Sequence, residues 1–218
     1  MGFLRRNTRP GLSTNRLEAF SDGVFSIAIT LLVLEITVPA LSSVEVAHGQ
    51  LLKDLIDLWP KFLSFFISFS IIGIFWVGHN IMFRFIKRSD RTLLWLNILL
   101  LMFVSFIPFP AALLGEYGAE RTATVLYGST VMVLGLIYFI VWKYATFKNR
   151  LVDSNLDPKM IRQGSVIVLA APLLYFAAIL LAFVSPILTL IIYIFIPILY
   201  VIPSPVDEFV DYAFDKED

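Results

Sequence analysis

Residues 16–36 read RLEAFSDGVFSIAITLLVLEI. The stretch is too apolar for the surface of a soluble protein, yet it carries Arg16, Glu18, Asp22 and Glu35. A charged group inside a membrane span faces protein or water rather than lipid. The segment therefore reads as a membrane helix with at least two working faces. At 100° per residue, Gly23, Ile27, Leu31, Leu34 and Val38 fall in one apolar stripe about 80° wide, which Thr30 borders. Asp22 and Ser26 share a separate, polar face.

The rest of the chain supports a membrane setting. Of 218 residues, 58% are hydrophobic and only 16% charged, against about a quarter charged in ordinary globular chains. No Asp, Glu, Lys or Arg occurs in 62–83, 92–115, 122–142 or 163–206. A helix needs about 20 apolar residues to cross the hydrocarbon. The first three blocks each fit one crossing, and the fourth fits two, divided near Ser185-Pro186. The expectation is a single all-α integral membrane domain over 1–218, with spans near 17–38, 60–83, 92–114, 122–143, 164–184 and 187–203. An acidic tail follows at 204–218, either a solvated end or a partner contact. Continuous apolar blocks exclude a β-barrel, whose strands alternate over about ten residues. Pro108, Pro110, Pro172 and Pro197 fall inside spans, where neighbours can satisfy the freed carbonyls.

Of the 17 Lys and Arg, 14 lie before the first span, between the second and third, between the fourth and fifth, or in the tail. Only Lys53, Lys61 and Arg121 lie on the other side. Positive charge marks the cytoplasmic side, so both termini are expected there. Carboxylates in the first stretch and five further spans argue against a cleaved signal peptide. The chain has no cysteine, hence no disulfide framework and no thiolate chemistry. In the outer loop, LLKDLIDLW (51–59) is amphipathic at helical spacing. It reads as a short interfacial helix or as an extension of the second span.

Asp22 lies six residues after Arg16, His79 five before Arg84 and Asn97 six after Arg91. At 1.5 Å per residue all three sit roughly 7–9 Å inside the basic boundary. A buried hydrogen-bond network is expected, to which the Trp76 indole can add a donor; the alternative is that each group is satisfied separately. His79 as a proton relay is a further alternative.

Arg16 with Phe20-Ser21-Asp22 resembles the RxxxFSD signature of the transmembrane protein 175 family of potassium channels. Trp76 and His79 as WxxH, Asn97 and the Pro108-Phe109 pair of the third span are similar to that family as well. The distal part of the third span and all of the last three match only in length and apolarity. The resemblance implies a prokaryotic form with one six-helix repeat, a homotetramer in the plasma membrane with a central pore lined by the first helix. It implies a pore constriction at Ile27, Leu31 and Leu34, and ion selectivity at Thr30 with Ser26. The structural motif network would be Arg16, Phe20, Ser21, Asp22, Trp76, His79 and Asn97. Permeant potassium would be the only ligand, with no cofactor. Without the resemblance, an Ile/Leu stripe at helical spacing reads first as packing. Glu35 is either an electronegative vestibule or an interfacial carboxylate touching water.

Other classes have less support. A secondary transporter would show internal repeats with matching broken helices, and none is visible. A proton-permeable channel of the same fold stays open. Two His, no Cys and no HExxH or GxSxG motif leave little enzyme chemistry. No nucleotide loop or nucleic-acid patch is present. A potassium filter of backbone carbonyls would need a TVGYG-like loop; Gly115-Glu116-Tyr117-Gly118 is its nearest fragment and reads as a turn.

Overall fold

A computed structural model describes residues 14–43 and 49–201. Arg5, Arg6, Arg9, Lys216 and the acidic tail at 204–218 fall outside the described residues. The helices are α1 (Asn15–Leu31), α2 (Gln50–Asp57), α3 (Trp59–Phe85), α4 (Arg91–Phe106), α5 (Pro108–Tyr117), α6 (Arg121–Thr146), α7 (Pro158–Ala182) and α8 (Pro186–Val201). Five apolar helical stretches are long enough to cross a membrane: Asn15–Glu35, Trp59–Phe85, Arg91–Tyr117, Arg121–Asn149 and Pro158–Ala182. The sixth, α8, spans 16 residues, about 24 Å of helix against a hydrocarbon core of about 30 Å.

The ends of these elements have local causes. α1 tightens into a 3-10 turn at Leu32–Glu35 and stops, short of the 38 expected from hydropathy. Ile36, Thr37 and Val38 are all β-branched and Pro39 follows, so the backbone is pushed out of the helical region. The third crossing is interrupted at Ile107, whose N–H reaches back only to Val104 O at 3.2 Å. Pro108 then restarts the helix at its first position, where a missing N–H costs nothing. α7 begins at Pro158, six residues before the expected 164. Asp157 caps it, accepting from Lys159 N at 2.8 Å, a start signal that hydropathy does not carry. LLKDLIDLW forms α2 and the start of α3, separated by a break at Leu58.

α1 rests mainly on α3 and α4, while the most extensive contact joins α6 to α7. Small residues allow that approach. A Cβ on Gly135 would stand 3.0 Å from the Pro172 ring of α7, and toward α8 one on Gly128 would strike the Tyr193 hydroxyl. Tyr127, Tyr193 and Trp142 are buried there with their polar atoms engaged. Ser68 Oγ donates to Tyr127 Oη at 3.2 Å, Tyr193 Oη to Thr124 O at 3.0 Å, and Trp142 Nε1 to Ser165 Oγ at 3.2 Å.

At the basic end, one carboxylate ties two loops together. Asp90 caps α4 by accepting from Leu93 N at 2.9 Å. It also accepts from the Tyr144 hydroxyl at 2.7 Å and pairs with Arg150 at 3.1 Å. Behind it, Lys87 N and Arg88 N donate to Leu151 O, and the Arg88 side chain to Val152 O. The turn that permits this places Lys148 and Asn149 at φ of 53° and 51°. Burial raises the Asp90 pKa, but the Leu93 N–H, the Tyr144 hydroxyl and Arg150 outweigh it and hold it below the usual carboxylate value. A carboxyl depressed in the folded state stabilises it fully above the unfolded pKa, about 3.9, and loses that contribution as pH falls through the lower folded pKa. Asp90→Ala is expected to lower the thermal midpoint at pH 7, with the lost cap alone worth about 0.5–2 kcal/mol. Thermal unfolding in detergent checks this: the gap between parent and variant closes as pH drops below about 4. A gap that persists unchanged in acid overturns the assignment.

Candidate functional site

The buried face of α1 is Leu17, Ser21, Phe25, Ala28 and Leu32. Its spacing of four, four, three and four residues is that of a helix packed along one side. The sequence reading missed this face because its attention went to the other stripe, which has the same periodicity. The signal available was the small pair, Ser21 and Ala28, alternating with large apolar residues as close helix packing demands.

On this face two polar branches leave α1. In the first, Asn97 Nδ2 donates to Ser21 Oγ at 2.9 Å, and Ser21 Oγ donates to Leu17 O at 2.8 Å. A hydroxyl has one proton. Ser21 spends it on Leu17 O, so Ser21 must accept from the Asn97 amide. That fixes the amide with Oδ1 toward His79, whose Nε2 lies 3.0 Å away. His79 is therefore the Nε2–H donor. Its ring is held by stacking on Phe83 at 4.3 Å and by the edge of Phe25 at 5.7 Å. Ser21, His79 and Asn97 are all essentially without solvent contact. In the second branch, Trp76 Nε1 donates to Asp22 Oδ1 at 2.9 Å, nearer the surface.

The structure thus brings Ser21, Asp22, Trp76, His79 and Asn97 to one level. They form two neighbouring branches rather than one network, because Asp22 bonds Trp76 and not His79 or Asn97. Arg16 and Phe20 are exposed and stand outside both branches among the described residues.

The Ile27, Leu31 and Leu34 side chains lie away from the packed face, 60%, 41% and 69% exposed. The stripe is not used in the packing of a single chain. Ser26 and Thr30 are exposed beside it, and no side-chain atom would meet a Cβ on Gly23. The Thr30 hydroxyl lies 3.0 Å from Ser26 O and 2.9 Å from Ile27 O. Its proton is directed at the helix's own carbonyls, so its lone pairs remain for an outside partner. Glu35 does not share this stripe. It lines a cavity of about 10 Å³ with Leu32, Lys61, Ser64 and Gly115, and Lys61 is paired with Glu116 at 2.8 Å. Among the described residues, no three His, Asp or Glu side chains gather as a metal site.

The sequence pattern of the family described as "Endosomal/lysosomal potassium channel TMEM175" matches residues 16–108. That region contains the packed and exposed faces of α1 and both polar branches. The protein named "Potassium channel Cha6605_3372" from Chamaesiphon minutus is 41% identical over 175 residues, covering 79% of this chain and 85% of that one. The vertebrate protein named "Endosomal/lysosomal proton channel TMEM175" from Gallus gallus is 34% identical over 148 residues, 66% of this chain and 29% of its own length. In three dimensions, the crystal structure of a lysosomal potassium-selective channel TMEM175 homolog from Chamaesiphon minutus superimposes with a TM-score of 0.75 at 37% identity. It covers 86% of this chain and 95% of that one. With that identity extending over most of both chains and carried into the fold, the chain is a multi-pass membrane protein and belongs to the TMEM175 channel family.

Proposed function

We propose that this chain is the subunit of a potassium-conducting channel, assembled as a homotetramer around a pore lined by four copies of α1. One observation carries the reading: α1 buries Leu17, Ser21, Phe25, Ala28 and Leu32 and leaves Ile27, Leu31 and Leu34 outward. Within a channel family, an apolar stripe that the subunit does not use for itself, bordered by Ser26 and Thr30, suits a pore wall. A closed ring requires cyclic symmetry. Ile27 lies eleven residues after Arg16, roughly 16 Å along the axis and so near mid-membrane. Four branched side chains meeting there exclude water, and an ion cannot follow until the ring widens. Potassium gives up hydration water more readily than sodium, which makes a slightly wider ring modestly selective. Thr30 then offers an oxygen to an ion that has lost part of its shell.

Ser21, Asp22, Trp76, His79 and Asn97 hold α1 at the rotation this requires and do not touch the permeant ion. Arg16 and Phe20 complete the motif at the helix entrance. The Lys/Arg imbalance supports cytoplasmic termini in the plasma membrane of a prokaryote. A proton-permeable channel is the second reading. The proton-channel name of the vertebrate relative favours it, as does the buried His79–Asn97–Ser21 run.

Polar replacement at the constriction is expected to wet it. Ile27→Asn or Leu31→Asn raises cation leak several-fold in reconstituted vesicles, read as potassium flux with no imposed proton or sodium gradient. Unchanged flux in both variants moves these side chains from pore to packing. Thr30→Val keeps the shape and removes the oxygen. Reversal potentials are expected to show potassium and sodium drawing closer together while the oligomer stays intact; the same potentials under a pH gradient measure proton permeation. An unaltered preference removes Thr30 from selectivity.

The anchoring role has a different signature. Asn97→Ala leaves His79 and Ser21 under-satisfied at about 1–3 kcal/mol. Asp22→Asn weakens the Trp76 bond. Both are expected to reduce the cross-linked tetramer in mild detergent without changing ion preference in the channels that assemble. A variant that assembles normally and changes only selectivity reassigns the residue to the conduction path.

A further inference from the structure

We propose a binding site for one anionic phospholipid at the end of the bundle opposite the Asp90 loops, in a groove between the start of α6 and the end of α7. The groove holds about 360 Å³ and is lined by Arg121, Thr122, Val125, Leu126, Ser129 and Phe183. Thr122, Val125, Leu126 and Ser129 are three, one and three residues apart, a single face of α6. Phe183, 57% exposed, closes one side. Among the described residues, this face is left open by the chain's own helices.

The charge at its mouth selects the occupant. Arg121 is the first residue of a span, and Phe183 follows the last residue of the next one. The guanidinium therefore stands at headgroup level. Its Cζ lies 5.5 Å from the centre of the Phe183 ring, and one nitrogen makes a long 3.5 Å contact with Phe183 O. That arrangement fixes the side chain over the groove and leaves most of its N–H donors unused. Lys61, at the same end, is neutralised by Glu116. Arg121 has no carboxylate within ion-pair distance among the described residues, its neighbour Glu120 included. A planar guanidinium with free donors matches a phosphate oxygen pair.

The dimensions fit the rest of the molecule. From Thr122 to Ser129 the face runs about 10 Å, roughly two thirds of one leaflet's share of the hydrocarbon. A phosphate on Arg121 places the first part of an acyl chain along Val125 and Leu126, against Phe183. The Thr122 hydroxyl lies near the glycerol level. A zwitterionic lipid carries the same phosphate, but its ammonium group offsets the attraction to Arg121, so the preference is for a net negative headgroup.

The absence of cysteine allows a clean reporter. Ser129→Cys is labelled with a small fluorophore, and the full chain is reconstituted in phosphatidylcholine vesicles. Brominated phosphatidylglycerol or brominated phosphatidylcholine is then titrated in as quencher. The expected result is half-maximal quenching at a several-fold lower mole fraction of phosphatidylglycerol. Arg121→Gln in the labelled background is expected to erase that difference and leave phosphatidylcholine quenching unchanged. Equal quenching by the two lipids with Arg121 present overturns the proposal in favour of ordinary boundary lipid. No quenching by either overturns it in favour of a neighbouring subunit covering the face. If the labelled variant does not survive purification, native mass spectrometry of the unlabelled protein decides. Retained phosphatidylglycerol that disappears with Arg121→Gln supports the site, and equal retention in both proteins overturns it.

Discussion

The hydrogen bonds running from His79 through Asn97 to Ser21 and Leu17 O determine how α1 sits. In lipid there is no hydrophobic force to press one apolar helix on another, so packing detail and polar contacts decide the fit. The run has a direction: His79 donates to Asn97, Asn97 to Ser21 and Ser21 to Leu17 O, where it ends on a backbone carbonyl. Turning α1 by one residue, about 100°, would withdraw Ser21 from Asn97 and Asp22 from Trp76 together. The Asn97 amide, the Trp76 indole and the Asp22 carboxylate would each lose a partner, a loss of a few kcal/mol together. The polar branches thus act as a rotational lock. What they lock is which residues of α1 point away from α3 and α4.

The second half of the chain solves the same problem by other means. α6 approaches α7 closely because Gly135 presents no side chain to Pro172, and α8 because Gly128 presents none to Tyr193. Of the tyrosine hydroxyls buried there, those of Tyr127 and Tyr193 find Ser68 and the Thr124 carbonyl, while that of Tyr175 has no partner among the described residues. Among the described residues, the packed faces of α6, α7 and α8 carry no ion pair, and Asp157 acts only at the helix end as the cap of α7. Charges appear where the chain leaves the bundle, at Asp90 with Arg150 and at Lys61 with Glu116. The first of these joins the loop before α4 to the loop after α6, so the half that carries the polar lock is tied to the half that does not.

The number of apolar helical stretches and their order were legible in the sequence, because lipid demands long uncharged runs and the chain has no other way to satisfy their backbone. Ser21, Asp22, Trp76, His79 and Asn97 were legible as a group because polar residues are rare enough in such runs for their depth to be counted from flanking arginines. Their pairing was not. Depth alone does not say that Asp22 turns to Trp76 while Ser21 takes Asn97; that depends on rotation, which the Leu17–Phe25–Leu32 face fixes. Helix ends were misjudged wherever hydropathy and stereochemistry disagree. Ile36-Thr37-Val38 is as apolar as a span but too β-branched before a proline to stay helical, and Asp157-Pro158 starts α7 inside what hydropathy reads as loop. Glu35 was legible as an odd carboxylate, but its side depended on the 3-10 turn, which carries it to the Leu32 side.

Exposure of Ile27, Leu31 and Leu34 would be a defect in water and has no such cost in a bilayer, where lipid covers an apolar face as well as protein does. The stripe alone therefore does not separate a pore wall from a lipid-facing surface. The proposed reading rests on what borders it. Ser26 and Thr30 gain nothing from hydrocarbon, and the Thr30 proton bonds back to its own helix. That bond lets the residue sit in an apolar lining without an unsatisfied donor, while its oxygen still has electron pairs to offer. Under the proposed arrangement an ion passing the Ile and Leu rings uses them, since it meets an acceptor where it has least water. The rotational lock and the self-satisfied hydroxyl then serve one end: the first aims the stripe at the axis, and the second keeps its polar border tolerable while no ion is there.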